Sequence, residues 1–241
     1  MQKVQNSFVS RPVPRTEPPK SIAAKSIDEL QEPFVKVEDN EFFCIDMQYH
    51  KQEIPGAINE CYLRKEAYLR LLDAAKKLPE GYKFRIFDAW RPFEVQQYLF
   101  DKCKLEYAVQ HPDLDEDALT AELINYVSMP VKDDVNYPVH CSGGSVDVSI
   151  QDAHGVLLDM GTAFDCFETK ANTCFYEDSD ETTVAQNRRL LYNIMISSGF
   201  TNLPSEWWHF DYGTRFWAYY KDETCMYKGI YTYCELKQNL K

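Results

Sequence analysis

His140-Cys141-Ser142-Gly143-Gly144-Ser145-Val146-Asp147-Val148-Ser149-Ile150 is the stretch on which the fold turns. From Ser145 to Ile150 polar and apolar residues alternate with the period of a strand, and Gly143, Gly144 and Gly155 stand where turns at its ends need them. Upstream, Tyr82-Lys83-Phe84-Arg85-Ile86-Phe87 alternates behind Gly81 and predicts a second strand. Asp88-Ala89-Trp90-Arg91-Pro92 then turns the chain, and Pro92 suits the first position of a helix running to about Lys104. Before it, Leu63, Ala67, Leu71, Ala74, Ala75 and Leu78 recur at helical spacing, so Tyr62 to Leu78 reads as an amphipathic helix stopped by Pro79. A further helix is predicted from Asp113 to Val127.

Downstream, Val184, Leu190, Leu191, Ile194 and Met195 mark a helix from Thr182 to Ser198, closed by Gly199. Glu206-Trp207-Trp208-His209-Phe210-Asp211-Tyr212 reads as an aromatic strand. Helices and strands interleave without a regular βαβ repeat. That order predicts an α+β fold, a single domain with a central antiparallel sheet flanked by helices.

The 241 residues, 44% apolar and 14% aromatic, suffice for one substantial core. Residues 1–27 hold five Lys/Arg against one acid, and five of the twelve prolines precede residue 34. Such a segment buries too little apolar surface to offset its ordering entropy, so residues 1–33 are expected to be a flexible, proline-rich basic tail and residues 34–241 the folded domain. A net charge of -12 repels phosphate backbones and anionic membranes, so neither nucleic acid nor membrane is an expected partner. No run approaches the roughly 18 apolar residues of a membrane helix, and no apolar secretory region opens the chain, which favours a cytoplasmic location. The eight cysteines are scattered, without a CxxC pair, and most are expected to be reduced, half-buried small hydrophobes.

Two of the five histidines stand in unusual company. His140 precedes a glycine turn that leads to Asp147, and Glu206-Trp207-Trp208-His209 sets a carboxylate and an imidazole beside two large aromatics. A catalytic zinc takes three protein ligands and leaves one position to water. Two histidines and one aspartate meet that count, which leaves Glu206 free to accept a proton from the water. Arg91 offers a permanently charged fork able to stabilise an oxyanion. Each piece alone has an ordinary reading: a strand-end histidine with a capping aspartate, an aromatic core strand, a surface ion pair. Cys141 neighbours His140, but adjacent strand residues face opposite ways, which argues against ligation. His50, His111 and His154 are expected to be exposed.

Taken in order, Asp46-Met47-Gln48-Tyr49, Cys61-Tyr62-Leu63-Arg64, Asp88 to Pro92, His140 to Asp147, Met160-Gly161-Thr162-Ala163-Phe164-Asp165, Ala185-Gln186-Asn187-Arg188-Arg189-Leu190, Ser198-Gly199-Phe200 and Glu206 to His209 resemble the VanX-type D-alanyl-D-alanine dipeptidases. The resemblance covers roughly residues 40–212. It implies one zinc per chain held by His140, Asp147 and His209, with Glu206 as base and Arg91 steadying the oxyanion. It also implies that Tyr49 and Asp165 line the pocket for the free ammonium of a small dipeptide, D-Ala-D-Ala, cleaved for glycopeptide resistance or for reuse of cell-wall D-alanine. One departure is Pro138, two residues before His140, where some members carry a serine that contacts substrate. Two other readings stand beside this one. A D,D- or L,D-carboxypeptidase of longer stem peptides would need an open groove; a non-catalytic zinc module would need neither Glu206 nor Arg91.

Overall fold

The alternating stretch at Ser145 builds the centre of a sheet because its valines and isoleucine cover one face while Ser145, Asp147 and Ser149 share the other. Both faces are covered, and all seven residues of the strand are buried. The computed structural model describes residues 7–17, 27–124 and 127–240. In chain order the strands are β1 (Phe34–Val37), β2 (Phe43–Ile45), β3 (Cys61–Arg64), β4 (Lys83–Asp88), β5 (Ser145–Gln151), β6 (Thr201–Asn202) and β7 (His209–Asp211). After a helical stretch at residues 7–10, the helices are α1 (Gln48–Lys51), α2 (Lys65–Ala75), α3 (Phe93–Gln110), α4 (Glu116–Leu123), α5 (Thr182–Ser197), α6 (Arg215–Lys221) and α7 (Tyr233–Gln238). The architecture is α+β.

Five strands form one sheet in the order β2-β4-β5-β7-β6. It is antiparallel from β4 to β6, as expected, but β2 pairs parallel to β4 at one edge, so the sheet is mixed. The reason is the connection: between β2 and β4 the chain passes through α1, β3 and α2, a crossover long enough to return it in the same direction. β1 and β3 form a separate antiparallel pair. That pair takes Tyr62 and Leu63, opposite Lys36 and Val35, out of the helix predicted from Tyr62, so α2 begins at Lys65.

α2 and α5 cover the sheet with the faces their spacing marked. Ala67, Leu71, Ala74, Leu191, Ile194 and Met195 join Val146, Val148, Ile150 and Phe210 in one core. Pro92 caps α3 from just outside it, at φ -57 and ψ 145, and the helix runs beyond Lys104 to Gln110. Its first half buries Val95, Gln96 and Phe100, whereas Leu105 and Val109 face outward. The Asp113 to Val127 helix condenses to α4, opened by Asp115, whose side chain accepts from the Ala118 amide. Of the aromatic stretch only His209–Asp211 is strand; Glu206 to Trp208 form the turn before it.

Within residues 1–33, stretches 1–6 and 18–26 lie outside the described residues. The described remainder lies against the body. Phe8 and Val9 pack on the main core, Val13 is 4% exposed, and Asn193 Nδ2 donates to Phe8 O and Arg11 O, both at 2.8 Å. Ile27 bridges to Cys225, and the Asp28 and Leu30 amides donate to Cys225 O and Met226 O. The apolar residues of an otherwise polar segment supply this docking. Among the described residues no helix is long and apolar enough to cross a membrane.

Candidate active site

Three neighbouring strands bring the polar groups into a row. The register of β4 on β5 shifts between Ile86 and Asp88, a bulge that sets Asp88 opposite Asp147, and Asp147 in turn stands opposite His209 on β7. Bulges of this kind re-aim side chains beside functional sites. His140 arrives from a 3-10 turn, Val139–Ser142, which Gly143 closes at φ 75. A Cβ at Gly143 would stand 2.1 Å from Phe34 Cε1, so both the dihedral and the space require glycine there. Pro138 opens the turn with no side-chain hydrogen bond.

The candidate ligand atoms converge. His140 Nε2 lies 3.1 Å from His209 Nδ1, His209 Nδ1 lies 3.1 Å from Asp147 Oδ1, and His140 Nε2 lies 3.4 Å from Asp147 Oδ2. Ligands held at about 2.0–2.1 Å around a tetrahedral zinc stand about 3.3–3.4 Å apart, so this triangle has the dimensions of one face of such a site. The outer nitrogens fix the tautomers. His140 Nδ1 donates to Ala89 O at 2.8 Å and lies 3.3 Å from Asp88 Oδ2, while His209 Nε2 donates to Asp211 Oδ2 at 2.9 Å. Each ring therefore turns its lone pair inward, the arrangement that holds metal-binding imidazoles in place. Burial alone would raise the Asp147 carboxyl, but His140 and His209 outweigh it and hold it well below the usual range. His140, Asp147 and His209 are a group among the described residues able to hold a metal ion. Cys141 stays outside it, its thiol pushed up to about 12 by burial.

Arg91 is buried beside this triangle. Its Nε donates to Asp88 Oδ2 at 2.8 Å and its Nη1 to Gln96 Oε1 at 2.7 Å. Nη2 faces Tyr49 Oη at 3.3 Å and Asp147 Oδ2 at 3.5 Å. Two arms of the fork are thus anchored, and the third points into the cavity. Gln96 is itself fixed, since its Nε2 donates to Ser128 O at 2.8 Å.

Glu206 lines the same cavity, its side chain 26% exposed and its Oε2 3.9 Å from His209 Nδ1. Asn202 Nδ2 donates to both Glu206 O and His209 O, at 3.0 and 2.9 Å, and so locks the turn that carries them. Loss of water around the Glu206 carboxyl pushes it up to about 7, against the pull of His209. Asp165 lies across the cavity in a left-handed conformation, φ 57. Burial pushes its carboxyl up to about 6, with Arg91 opposing. Tyr49 is buried, and the Arg91 guanidinium stacks 4.6 Å from the centre of its ring. The cavity measures about 70 Å³, and Leu99, Phe167, Leu203, Trp208 and Phe216 furnish its apolar walls.

All seven residues marked in the sequence therefore line one cavity. His50, His111 and His154 are exposed. Three supporting groups escaped the sequence reading: Asp88, Gln96 and Asp211. Asp211 carried a signal, since residues two apart on a strand share a face. Asp88 needed the bulge, and for Gln96 no pattern in the chain pointed to Arg91.

A family described as D-ala-D-ala dipeptidase, peptidase M15, matches residues 38–228. A D-alanyl-D-alanine dipeptidase of Synechocystis sp. is 28% identical over 179 residues, covering 66% of this chain and 72% of that protein. One from Escherichia coli strain K12 is 30% identical over 152 residues, covering 63% and 66%. Among solved structures, the Zn(II) complex of the vancomycin-resistance D,D-pentapeptidase VanY aligns over 69% of this chain and 83% of that one, with a TM-score of 0.42 and 17% identity.

Proposed function

The chain belongs to the M15 peptidase family of D-Ala-D-Ala dipeptidases, and from that premise we propose that it is a zinc dipeptidase that hydrolyses free D-Ala-D-Ala. One zinc per chain is held by His140, Asp147 and His209. The observation that carries this is the triangle of ligand atoms at 3.1 to 3.4 Å with both outer imidazole nitrogens bonded, a donor set shaped for one small cation. Bound there, zinc supplies Lewis acidity, polarising a carbonyl and acidifying water.

The chain's own groups supply the rest. Glu206, held up to about 7, accepts the proton of the attacking water and returns it to the leaving amine. Arg91, with Nη2 turned to the cavity, stabilises the oxyanion as it forms, and its two anchored arms spare it reorganisation at that moment. Asp165 and the Tyr49 hydroxyl receive the substrate's free ammonium. The apolar walls exclude water and strengthen each of these interactions.

The test is amine release from D-Ala-D-Ala, L-Ala-L-Ala, N-acetyl-D-Ala-D-Ala and a stem pentapeptide, with and without chelator. The free D,D-dipeptide should be cut, and chelator should abolish the cutting. Acetylation removes the cation that Asp165 is read as receiving, at a cost of about 2–5 kcal/mol, so the blocked dipeptide should be slower by roughly 30-fold or more. A pentapeptide cut as fast as the free dipeptide would replace this reading with the carboxypeptidase one.

A further inference from the structure

Asn187-Arg188-Arg189 in α5 is part of the sequence resemblance, yet none of the three lines the cavity. Their side chains are bonded instead to the segment that carries Asp165. Asn187 Nδ2 donates to Asp159 O at 2.8 Å, and Arg189 Nε forks onto the two oxygens of Glu177 at 3.0 Å each. Arg188 is 2% exposed, and its bonds go to main-chain carbonyls: Nε to Met160 O at 2.7 Å, Nη1 to Asn172 O at 2.6 Å and Nη2 to Lys170 O at 2.8 Å.

Met160 on one side and Lys170 and Asn172 on the other are the two ends of one loop, so a single planar guanidinium closes its neck. Between those ends the chain has no strand and one short 3-10 turn, Thr169–Ala171. The loop presents Phe164, whose ring lies 5.8, 5.1 and 5.5 Å from those of Tyr49, Phe87 and Trp208, and then Asp165. The φ of 57 at Asp165 is a left-handed conformation that few residues with a Cβ adopt, and its surroundings help to hold it. Pinning a loop's ends narrows the set of conformations open to what lies between. Two rings flank the guanidinium, Tyr176 at 4.7 Å and Trp207 at 5.9 Å, and both hold the same loop. The Tyr176 hydroxyl donates to Gly161 O at 3.1 Å, and Trp207 Nε1 donates to Thr162 Oγ1 at 2.8 Å.

We propose that Arg188 is a positioning residue for ammonium recognition: by closing the neck of loop 160–172 it holds Asp165 at the cavity wall, and through Trp207 it ties that loop to the turn bearing Glu206. The inference rests on the reading of Asp165 given above. A lysine keeps the charge, but as a single point donor it cannot span both ends of the neck.

Zinc-loaded Arg188→Lys, Asn187→Ala and Asp165→Asn enzymes are compared with the parent for zinc content, thermal midpoint, and kcat and KM on D-Ala-D-Ala and its N-acetyl form. Arg188→Lys should keep zinc, raise KM for the free dipeptide by about tenfold and hold kcat within about threefold. Its preference for the free over the acetylated dipeptide should shrink toward that of Asp165→Asn, which a merely structural defect would not cause. Asn187→Ala removes one bond at the exposed edge of the neck and should shift the preference the same way by about twofold. It carries the test if Arg188→Lys fails to fold. An unchanged preference in folded Arg188→Lys, or in Asn187→Ala where it stands alone, overturns the proposal, as does kcat falling with zinc content while the preference holds. If Asp165→Asn itself leaves the preference unchanged, the ammonium role of Asp165 is what fails, and the proposal falls with it.

Discussion

Glu206 is set apart from the three candidate metal ligands by distance: its Oε2 lies 3.9 Å from His209 Nδ1, outside the 3.1 to 3.4 Å triangle. Glu206→Gln is therefore expected to retain zinc and lose turnover, because an amide can hydrogen-bond a water but cannot take its proton. Loss of a positioned base costs on the order of 100- to 10,000-fold in rate. Metal analysis alongside the rate decides the matter, and a variant with full zinc and near-parental kcat would place the base elsewhere. At this scale the sequence was most informative where chemistry restricts residue type, since few side chains bind zinc and only five histidines exist. The residues that orient the ligands were harder to see. An aspartate that accepts from an imidazole, as Asp211 does, looks in sequence like any strand aspartate, and Ala89 holds His140 through a carbonyl that every residue has.

Among the elements, periodicity read the long helices and β5 well, because a face buried on a core imposes its spacing. It misread the ends. Leu63 satisfies helical spacing with Ala67 and Leu71, yet pairing with β1 recruits it, together with Tyr62, into β3, a contact made with residues about thirty positions earlier in the chain. The parallel edge at β2 has the same origin: direction within a sheet is set by the path between strands, and no local pattern records it. Glycine was legible for a stricter reason, since it marks places where the backbone allows nothing else. At Gly143 the φ of 75 costs an alanine about 1–2 kcal/mol, and the 2.1 Å approach of Phe34 adds to that. Gly143→Ala should lower the free energy of unfolding by about 2 kcal/mol or more and weaken zinc binding by about tenfold, because the turn it closes carries His140. Denaturant titration and competition with a zinc indicator measure the two effects; parental values in both would show that the turn tolerates a side chain.

Over the whole molecule, charge divides the chain unequally. Residues 1–27 carry five cations and one acid within a chain of net charge -12, so the N-terminal arm is drawn toward an acidic body. Composition describes such an arm as too polar to fold alone, which concerns its own core and not the surface it meets. That surface exists: Val13 is 4% exposed, its amide donates to Glu177 Oε1 at 2.9 Å, Arg15 pairs with Asp178, and Asn193 donates to two arm carbonyls. Burial of a valine contributes about 1.5–3 kcal/mol, whereas the Arg15 pair, 70% and 73% exposed, contributes little. Removing residues 1–17 is therefore expected to cost about 2–4 kcal/mol of stability, and Val13→Ala alone about 1–2.5 kcal/mol, with little dependence on salt because the dominant part is apolar. Since neither Val13 nor Arg15 lines the candidate active-site cavity, kcat/KM at 25 °C should stay within about twofold of the parent in both. Denaturation midpoints at low and high salt, measured beside kcat/KM, separate the possibilities. A truncated chain as stable as the parent would make the arm a tail after all, and a stable truncation with lost activity would make it part of the site.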